Sequence, residues 1–314
     1  MATYIIRRLL SMLPVVAIVA IFVFLLLHLA PGDPAAIMVG ENATPEAIAQ
    51  IRQKLGLDEP LWTQFVVWTL SLLHGDLGRS TFWNDPVTTL IAQRAEPSIA
   101  LASTTLVFTL VVALVLGVTS AAKAGTALDR FVMGCAVLGF SVPSFVIGYL
   151  LIFLFSIQLK WLPVQGYSPI GEGTWPWLRS LVLPTMTLGF VYVSLIARIT
   201  RAAMLDVLSE DYMRTARAKG VARPALLLKH ALKNAAVPIV TVVGTGVGLL
   251  IGGVVITETV FNIPGIGRLV VDAIARRDYP IIQGVVIVFS GVYMLVNLVV
   301  DLSYTFFDPR IRYQ

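Results

Sequence analysis

Residues 131–158 read FVMGCAVLGFSVPSFVIGYLLIFLFSIQ, a stretch without a single Asp, Glu, Lys or Arg. A bilayer core about 30 Å thick needs on the order of 20 consecutive apolar residues for one spanning helix. Five further stretches of similar length also lack charge: Leu9–Ala30, Ser98–Ala122, Ser180–Ala197, Asn234–Thr257 and Tyr279–Val300. The whole chain is 57% hydrophobic and 13% charged, against roughly 45–50% and 25% in soluble domains. We therefore predict an all-α, polytopic membrane protein with six transmembrane helices.

The basic residues indicate the orientation of these helices. If the N-terminus is cytoplasmic, the inner segments are 1–8, 123–130, 198–233 and 301–314, which hold 14 of the 23 Lys and Arg residues and 6 acidic ones. The outer segments hold 9 basic and 12 acidic residues. Cytoplasmic loops of membrane proteins are enriched in Lys and Arg. We therefore expect both termini in the cytoplasm. Because this topology accounts for the net charge of +5, we expect no nucleic-acid partner.

The segment between the first two stretches is too long for a simple turn. Pro60 could open a helix there, because proline is tolerated in a first turn, and apolar residues recur behind it at a helical period: Leu61, Phe65, Trp68 and Leu72. We predict an interfacial helix on the outer face. The chain then divides into residues 1–97, the first span with a folded extracytoplasmic loop, and residues 98–314, a five-helix core.

The inner loop 198–233 carries the strongest local signal. A basic, helix-prone run from Met204 to Lys219 stops at Gly220, and a second run begins at Pro224. Glycine just past a helix end and proline just inside a helix start are typical punctuation. The pattern predicts a short helix, a tight turn and another helix. It favours a docking element for a cytoplasmic protein over a solvated basic loop that only enforces topology.

Two features inside the predicted spans bear on packing. Gly244, Gly248 and Gly252 are four residues apart, so they share one face of the fifth helix, and small residues at this spacing let helix backbones approach closely. That face could serve helix packing, the lining of a pathway, or both. Pro143 in the third stretch removes a backbone hydrogen bond, so it predicts a kink.

Residues that could support catalysis are scattered. The three histidines, His28, His74 and His230, fall in three different segments, and the single cysteine, Cys135, lies within an apolar stretch. We expect no catalytic residues, no metal site and no cofactor in this chain.

The energy source must then come from elsewhere. The six stretches contain no Asp, Glu, Lys or Arg, the charged residues that proton-coupled carriers often retain inside the membrane, although a sodium-coupled carrier could use backbone carbonyls. The sequence contains no G-x-x-x-x-G-K-[ST] loop for ATP. ATP-driven transport would therefore need ATP and Mg bound by another polypeptide. A self-contained secondary transporter or channel is the alternative.

Eight short segments of the sequence resemble those of a known protein family. The segments that carry it are IIRRLL from Ile5, PGDPA from Pro31, LGLDEPL from Leu55, GDLGRS from Gly75, YMRTARAKG from Tyr212, HALKNA from His230, ETVFNIPGIG from Glu258 and RDYP from Arg277. In this order and spacing, over essentially its whole length, the chain resembles the permease subunits, of the first-permease type, of bacterial dipeptide and oligopeptide ABC importers.

The resemblance implies a type I ABC importer permease fold in the bacterial inner membrane. It implies a pathway formed with a second, homologous permease, two cytoplasmic ATPase subunits and an extracytoplasmic solute-binding protein. The substrate would be a dipeptide, an oligopeptide or a similar small solute, with a nickel chelate or glutathione as alternatives.

The resemblance also assigns a role to the inner loop. In such importers the ATPase-coupling motif has the form Glu-Ala-Ala, three residues, Gly. Here Ala216 and Gly220 match this form, whereas Arg214 and Thr215 replace the Glu and the first Ala. The implied coupling residues are Arg214, Thr215, Ala216, Arg217, Ala218, Lys219 and Gly220.

Overall fold

The computed structural model describes residues 2–29, 35–36 and 44–307, and these residues form helices and the loops between them. The helices are, in chain order, α1 Ala2–Leu29, α2 Pro45–Leu55, α3 Leu61–Leu73, α4 Val87–Ala122, α5 Ala127–Ser141, α6 Ser144–Leu151, α7 Thr174–Ser209, α8 Asp211–Ala218, α9 Ala236–Val260, α10 Ile266–Arg276 and α11 Tyr279–Phe307. A π-helical segment, Ile152–Gln158, extends α6, and a 3-10 turn, Ile170–Glu172, precedes α7. The all-α prediction is confirmed.

The predicted spans correspond to these elements. Five of the described helices are long and apolar enough to cross a membrane, and there are six spans if the bent pair formed by α5 with α6 and its extension counts as one. The helices also extend beyond the charge-free stretches. For example, α7 spans 36 residues, about 54 Å at 1.5 Å per residue. The segment PGDP at residues 31–34 and residues 308–314 lie outside the described residues.

Pro143 breaks the third span into two helices. The predicted kink is therefore confirmed, and the bend is larger than a kink within one helix. The first half ends at Ser141, the second begins at Ser144, and the two are bent by 107°. Val142 and Pro143 have extended ψ angles of 128° and 137°, because proline disfavours the helical conformation in the residue before it and cannot supply the ladder hydrogen bond. The first half has 15 residues, about 22 Å, and is too short to cross a bilayer alone.

Two compact units divide the chain: Met1–Ala95 with Arg268–Met294, and Glu96–Gly267 with Leu295–Gln314. In the first unit, α3 packs on α1 through Phe24, whose ring centroid lies 5.3 Å from that of Phe65 and 5.8 Å from that of Trp68. His28 contacts Gln64 at 3.0 Å. Pro60 directly precedes α3, so the predicted helix is confirmed.

A buried aspartate stabilises the loop that follows α3. Asp278 Oδ2 accepts hydrogen bonds from Ser80 Oγ at 2.5 Å and from the backbone amide of Phe82 at 3.1 Å. Beside it, the guanidinium of Arg276 lies 3.8 Å from the ring centroid of Phe82, a cation–π contact. Chain segments about two hundred residues apart are thereby joined within one unit.

In the second unit, α7 is the central helix. In its most apolar stretch of 18 residues, 72% is buried, against 28% in the corresponding stretches of α4 and α9. It packs against α5, α6 and α9. The surrounding core contains large buried apolar side chains: Leu101, Leu181, Leu183, Leu188, Phe261 and Ile263. The charge-free stretch Ser180–Ala197 of α7 suits this position, because a helix surrounded by other helices is apolar on all its faces.

The loop before α7 contains a small polar cluster. Tyr167 Oη donates to Glu96 Oε1 at 2.9 Å and accepts from Trp177 Nε1 at 3.1 Å. Burial, and the hydrogen bond to the Glu96 carboxylate, raise the pKa of Tyr167 to about 12. The hydroxyl therefore stays protonated at physiological pH and holds the loop to α4 at Glu96.

Candidate functional site

The inner loop contains the predicted helix, turn and helix. Helix α8 ends at Ala218, and Gly220 has a φ of +79°, a left-handed conformation that glycine adopts without steric cost. The amide of Gly220 donates to Arg217 O at 3.0 Å, and that of Val221 to Ala216 O at 3.3 Å. These two bonds satisfy carbonyls that a helix end leaves free. The predicted turn is confirmed.

The two flanking helices differ in detail from the sequence-based expectation. The run from Met204 to Lys219 is interrupted at Glu210, whose ψ of 147° is extended, so that α7 ends at Ser209 and α8 is a separate helix. The second helix has Pro224 in its first turn, as predicted. It consists of three consecutive segments, Arg223–Ala225, the π-helical Leu226–Ala231, and Leu232–Asn234.

One face of α8 packs against the protein. Met213 is fully buried, and Ala216 is half-buried beside it. Both lie on a cluster of apolar side chains from the adjoining ends of α4, α7 and α9 and from the second helix: Val118, Ala121, Ala203, Met204, Leu226, Ala231, Ala235 and Ile239. Such packing fixes the position of a helix that, with 8 residues, would be unstable alone.

The opposite face of α8 is free. Six of the seven residues that the motif suggests are exposed, all except Ala216: Arg214, Thr215, Arg217, Ala218, Lys219 and Gly220. Arg214 pairs with Asp211 at 3.3 Å, and both side chains are largely exposed, so this pair contributes little to stability. The structure thus brings the suggested residues together on a basic surface above a rigid base.

A buried ion pair joins α5 to α7, and sequence reasoning missed it. Arg201 on α7 donates to both carboxylate oxygens of Asp129, Nε to Oδ1 at 2.6 Å and Nη2 to Oδ2 at 2.7 Å. Asp129 also accepts hydrogen bonds from Ser120 Oγ and from the Gly125 amide at 2.9 Å. The carboxylate therefore joins the end of α4, the start of α5 and α7.

A second anchor reaches the same helix end. Arg223 Nη2 donates to the carbonyl of Ala122, the last residue of α4, at 2.7 Å. A basic side chain on a terminal carbonyl satisfies an acceptor that the helix itself leaves free. The turn at Gly220 is consequently held by α8 on one side and by Arg223 on the other.

The three glycines of α9 do not share one environment. A Cβ on Gly244 would lie 2.6 Å from Val300, so this glycine allows close contact with α11. Gly248 is half-buried, and Gly252 is exposed with no atom within 4 Å of a Cβ placed on it. Tight contact between α9 and α7 occurs instead at Gly253, where a Cβ would lie 2.5 Å from Leu188. Gly253 lies outside the four-residue glycine spacing, so that pattern in the sequence does not identify it.

The segment ETVFNIPGIG has a buried acid at its first position. Glu258 is fully buried near the end of α9, and its Oε1 accepts from Ser98 Oγ at 2.5 Å. Ser98 Oγ in turn accepts from the amide of Ile266 at 2.8 Å. A Cβ on Gly265 would overlap the Glu258 carboxylate. The acid and the glycine are therefore complementary parts of one small structure.

Comparison with known proteins agrees with this architecture. Residues 113–313 match the family "Binding-protein-dependent transport system inner membrane component", and residues 1–102 match the corresponding N-terminal family. The chain is 56% identical, over the full length of both, to "Probable peptide ABC transporter permease protein y4tP" of Sinorhizobium fredii. It is 44% identical, again over both full lengths, to the glutathione transport system permease protein GsiC of Salmonella typhimurium.

A solved structure shows the same fold. A chain of the MetNI methionine ABC transporter, in an inward-facing conformation, superimposes with a TM-score of 0.58 and 16% identity. The match covers 70% of this chain and 97% of that one. With its family match, its relatives and this fold, the chain belongs to the inner membrane components of binding-protein-dependent transport systems, and it is the membrane-spanning permease subunit of an ATP-driven importer rather than an enzyme.

Proposed function

We propose that this permease imports dipeptides, oligopeptides or similar small solutes, in a complex with a second permease, two ATPase subunits that bind ATP and Mg, and an extracytoplasmic solute-binding protein. The relatives described as peptide and glutathione permeases support this substrate class. The observation that carries the proposal is the exposed basic face of α8, which is fixed from behind by Met213 and ended by Gly220.

In this proposal the residues Arg214–Gly220 contact a groove of one ATPase subunit. A short helix on a rigid base transmits a rigid-body displacement to the helices beneath it. Closure of the ATPase would move α8, and with it the ends of α4, α7 and α9 that meet at Met213. Gly244, Gly248, Gly252 and Pro143 would serve helix packing or the pathway, with Gly252 facing a surface that this chain alone leaves open.

We further propose that both termini are cytoplasmic, that residues 1–97 form the first span with an extracytoplasmic loop, and that residues 98–314 form the core with its coupling loop 198–233. The basic excess of the inner segments supports this orientation. Single cysteines test it in a Cys135→Ala background. Glu172→Cys should react with a membrane-impermeant maleimide in intact cells, and Lys219→Cys only after permeabilisation. The reverse pattern would refute the orientation.

Purification and uptake test the assembly. The tagged permease would be extracted from its native membrane in detergent, co-purifying chains would be identified by mass spectrometry, and ATPase activity would be measured. In proteoliposomes we expect ATP-dependent uptake of labelled L-alanyl-L-alanine, with glutathione and a nickel chelate tested as competitors. A permease that purifies without an ATPase and transports without ATP would refute the proposal.

A further inference from the structure

Arg198 is a charged side chain in an unusual position. It directly follows the charge-free stretch Ser180–Ala197 on α7, and it is exposed in the single chain. Its guanidinium carbon lies 6.0 Å from the ring centroid of Phe140. Within the part of the chain that the structure describes, it has no hydrogen-bond or ion-pair partner, whereas Arg201, one turn further along α7, is paired with Asp129.

The guanidinium of Arg198 lies beside an aromatic ring of the charge-free stretch 131–158. Helices α5 and α7 run antiparallel, since Asp129 meets Arg201 and Gly139 lies against Ser194. Phe140 is therefore displaced from Asp129 by eleven residues, about 16 Å along the axis of α5, away from the inner loop. An arginine next to lipid turns its head group towards the nearer water interface. Arg198 instead keeps its guanidinium beside the ring of Phe140.

The exposure of Arg198 and its position beside Phe140 indicate what it faces. A guanidinium at membrane depth is costly beside lipid and is found in the interior of a bundle or beside a water-filled cavity. Its planar fork binds a carboxylate through two parallel hydrogen bonds, and the Phe140 ring reduces its freedom through a cation–π contact. Peptides with a free C-terminus present such a carboxylate.

We propose that Arg198, oriented by Phe140, lines the translocation pathway and binds the C-terminal carboxylate of the peptide in transit. The inference rests on the proposed import of peptides and adds a specificity-determining residue to it. The sequence did not indicate this residue, because it stands one position outside a charge-free stretch and looks like part of the basic inner loop.

Uptake by variants tests the assignment. In proteoliposomes with the ATPases and binding protein, the ratio of Arg198→Gln to wild-type uptake would be measured for L-alanyl-L-alanine and for its C-terminal amide. This ratio cancels any preference of the binding protein. We expect a loss of about tenfold or more for the free acid, the effect of one charge-assisted hydrogen bond pair, and little change for the amide. Uptake of the free acid by Arg198→Lys should lie between that of Arg198→Gln and that of the wild type. Arg130 is an exposed arginine on α5, and Arg130→Gln should transport both peptides as the wild type does.

Accessibility provides an independent measurement. In a Cys135→Ala background, Arg198→Cys should react with a charged methanethiosulfonate reagent, and L-alanyl-L-alanine should slow the reaction during turnover. Val111→Cys, an exposed apolar position on α4, should not react. An unreactive cysteine at 198, equal losses for acid and amide, or loss of the second permease on purification of Arg198→Gln would overturn the inference. Failure of the wild-type complex to transport either peptide would instead count against the proposed function.

Discussion

Two nitrogens of Arg201 lie 2.6 and 2.7 Å from the two carboxylate oxygens of Asp129, so the ion pair is bidentate. It joins α5 to α7 through residues that are 72 positions apart in the sequence. The Asp129 side chain is 4% exposed and that of Arg201 is 27% exposed. The carboxylate also accepts from Ser120 and Gly125. Its bonding capacity is thus largely filled by protein groups.

Removal of one member of this pair should destabilise the permease. Loss of one partner of a buried ion pair costs about 3–5 kcal/mol, and the partial exposure of Arg201 reduces this to about 2–3 kcal/mol for Arg201→Gln. The melting temperature of the detergent-purified complex would fall accordingly. Asp58→Asn, which removes an exposed partner of Arg52, is the matched control and should cost less than about 1 kcal/mol. Equal shifts for both variants would contradict the structural role of the buried pair.

Two neighbouring glycines on α9 should respond differently to the same change. Gly253→Ala places a methyl group against Leu188, and overpacking of this kind costs about 1–3 kcal/mol. Gly252→Ala places it in open space, where the better helix propensity of alanine leaves stability unchanged or up to about 1 kcal/mol higher. Thermal unfolding of the two purified variants would measure the difference. Equal destabilisation would show that Gly252 is packed in the assembled complex.

The hydroxyl of Ser98 should matter more than that of its neighbour Ser103. Ser98→Ala removes a donor to Glu258 and an acceptor for Ile266 N, and the loss of these two buried hydrogen bonds should cost about 1–3 kcal/mol. Among the described residues, the Ser103 hydroxyl bonds only the carbonyl of Ala100 on its own helix, so Ser103→Ala should change stability by less than about 0.5 kcal/mol. Melting temperatures of both variants, compared in one detergent, would reveal whether Ser98 links the helices as described.

The exposed face of α8 can be altered without damage to its base. Ala218→Trp adds a large side chain to that face, whereas Ala124→Trp adds one to an exposed turn of another inner segment. We expect Ala218→Trp to reduce ATP-dependent uptake at least tenfold, because a helix that no longer fits its groove cannot transmit closure, while expression and melting temperature stay near wild type. Ala124→Trp should transport normally. Normal transport by Ala218→Trp would refute the coupling role of this face.

Local chemistry accounts for most of what the sequence predicted. The helical spans follow from charge-free runs of sufficient length, the break in the third span from Pro143, and the inner turn from Gly220 and Pro224. Each of these signals acts within a few residues of the structure that it determines, so a single sequence contains it.

The remaining features depend on residues that the chain brings together from far apart. Arg201 resembles any basic residue of an inner loop until α5 places Asp129 beside it. Gly253 is marked neither by its own neighbours nor by the four-residue spacing, since its importance comes from Leu188 on α7. Glu258 belongs to a recognisable segment, yet its partner Ser98 is 160 residues away. Such pairings appear only once the helices are packed.

The length of α7 also determines how far α8 stands from the lipid. From Arg198 to Ser209 the helix continues for about 18 Å at 1.5 Å per residue beyond its charge-free stretch. The headgroup layer on one side of a bilayer is about 5–8 Å thick. Met213 of α8 packs with Ala203 and Met204, about 8–9 Å along this continuation, so we expect α8 to lie at the outer edge of the headgroup layer, where a soluble protein can reach its exposed face.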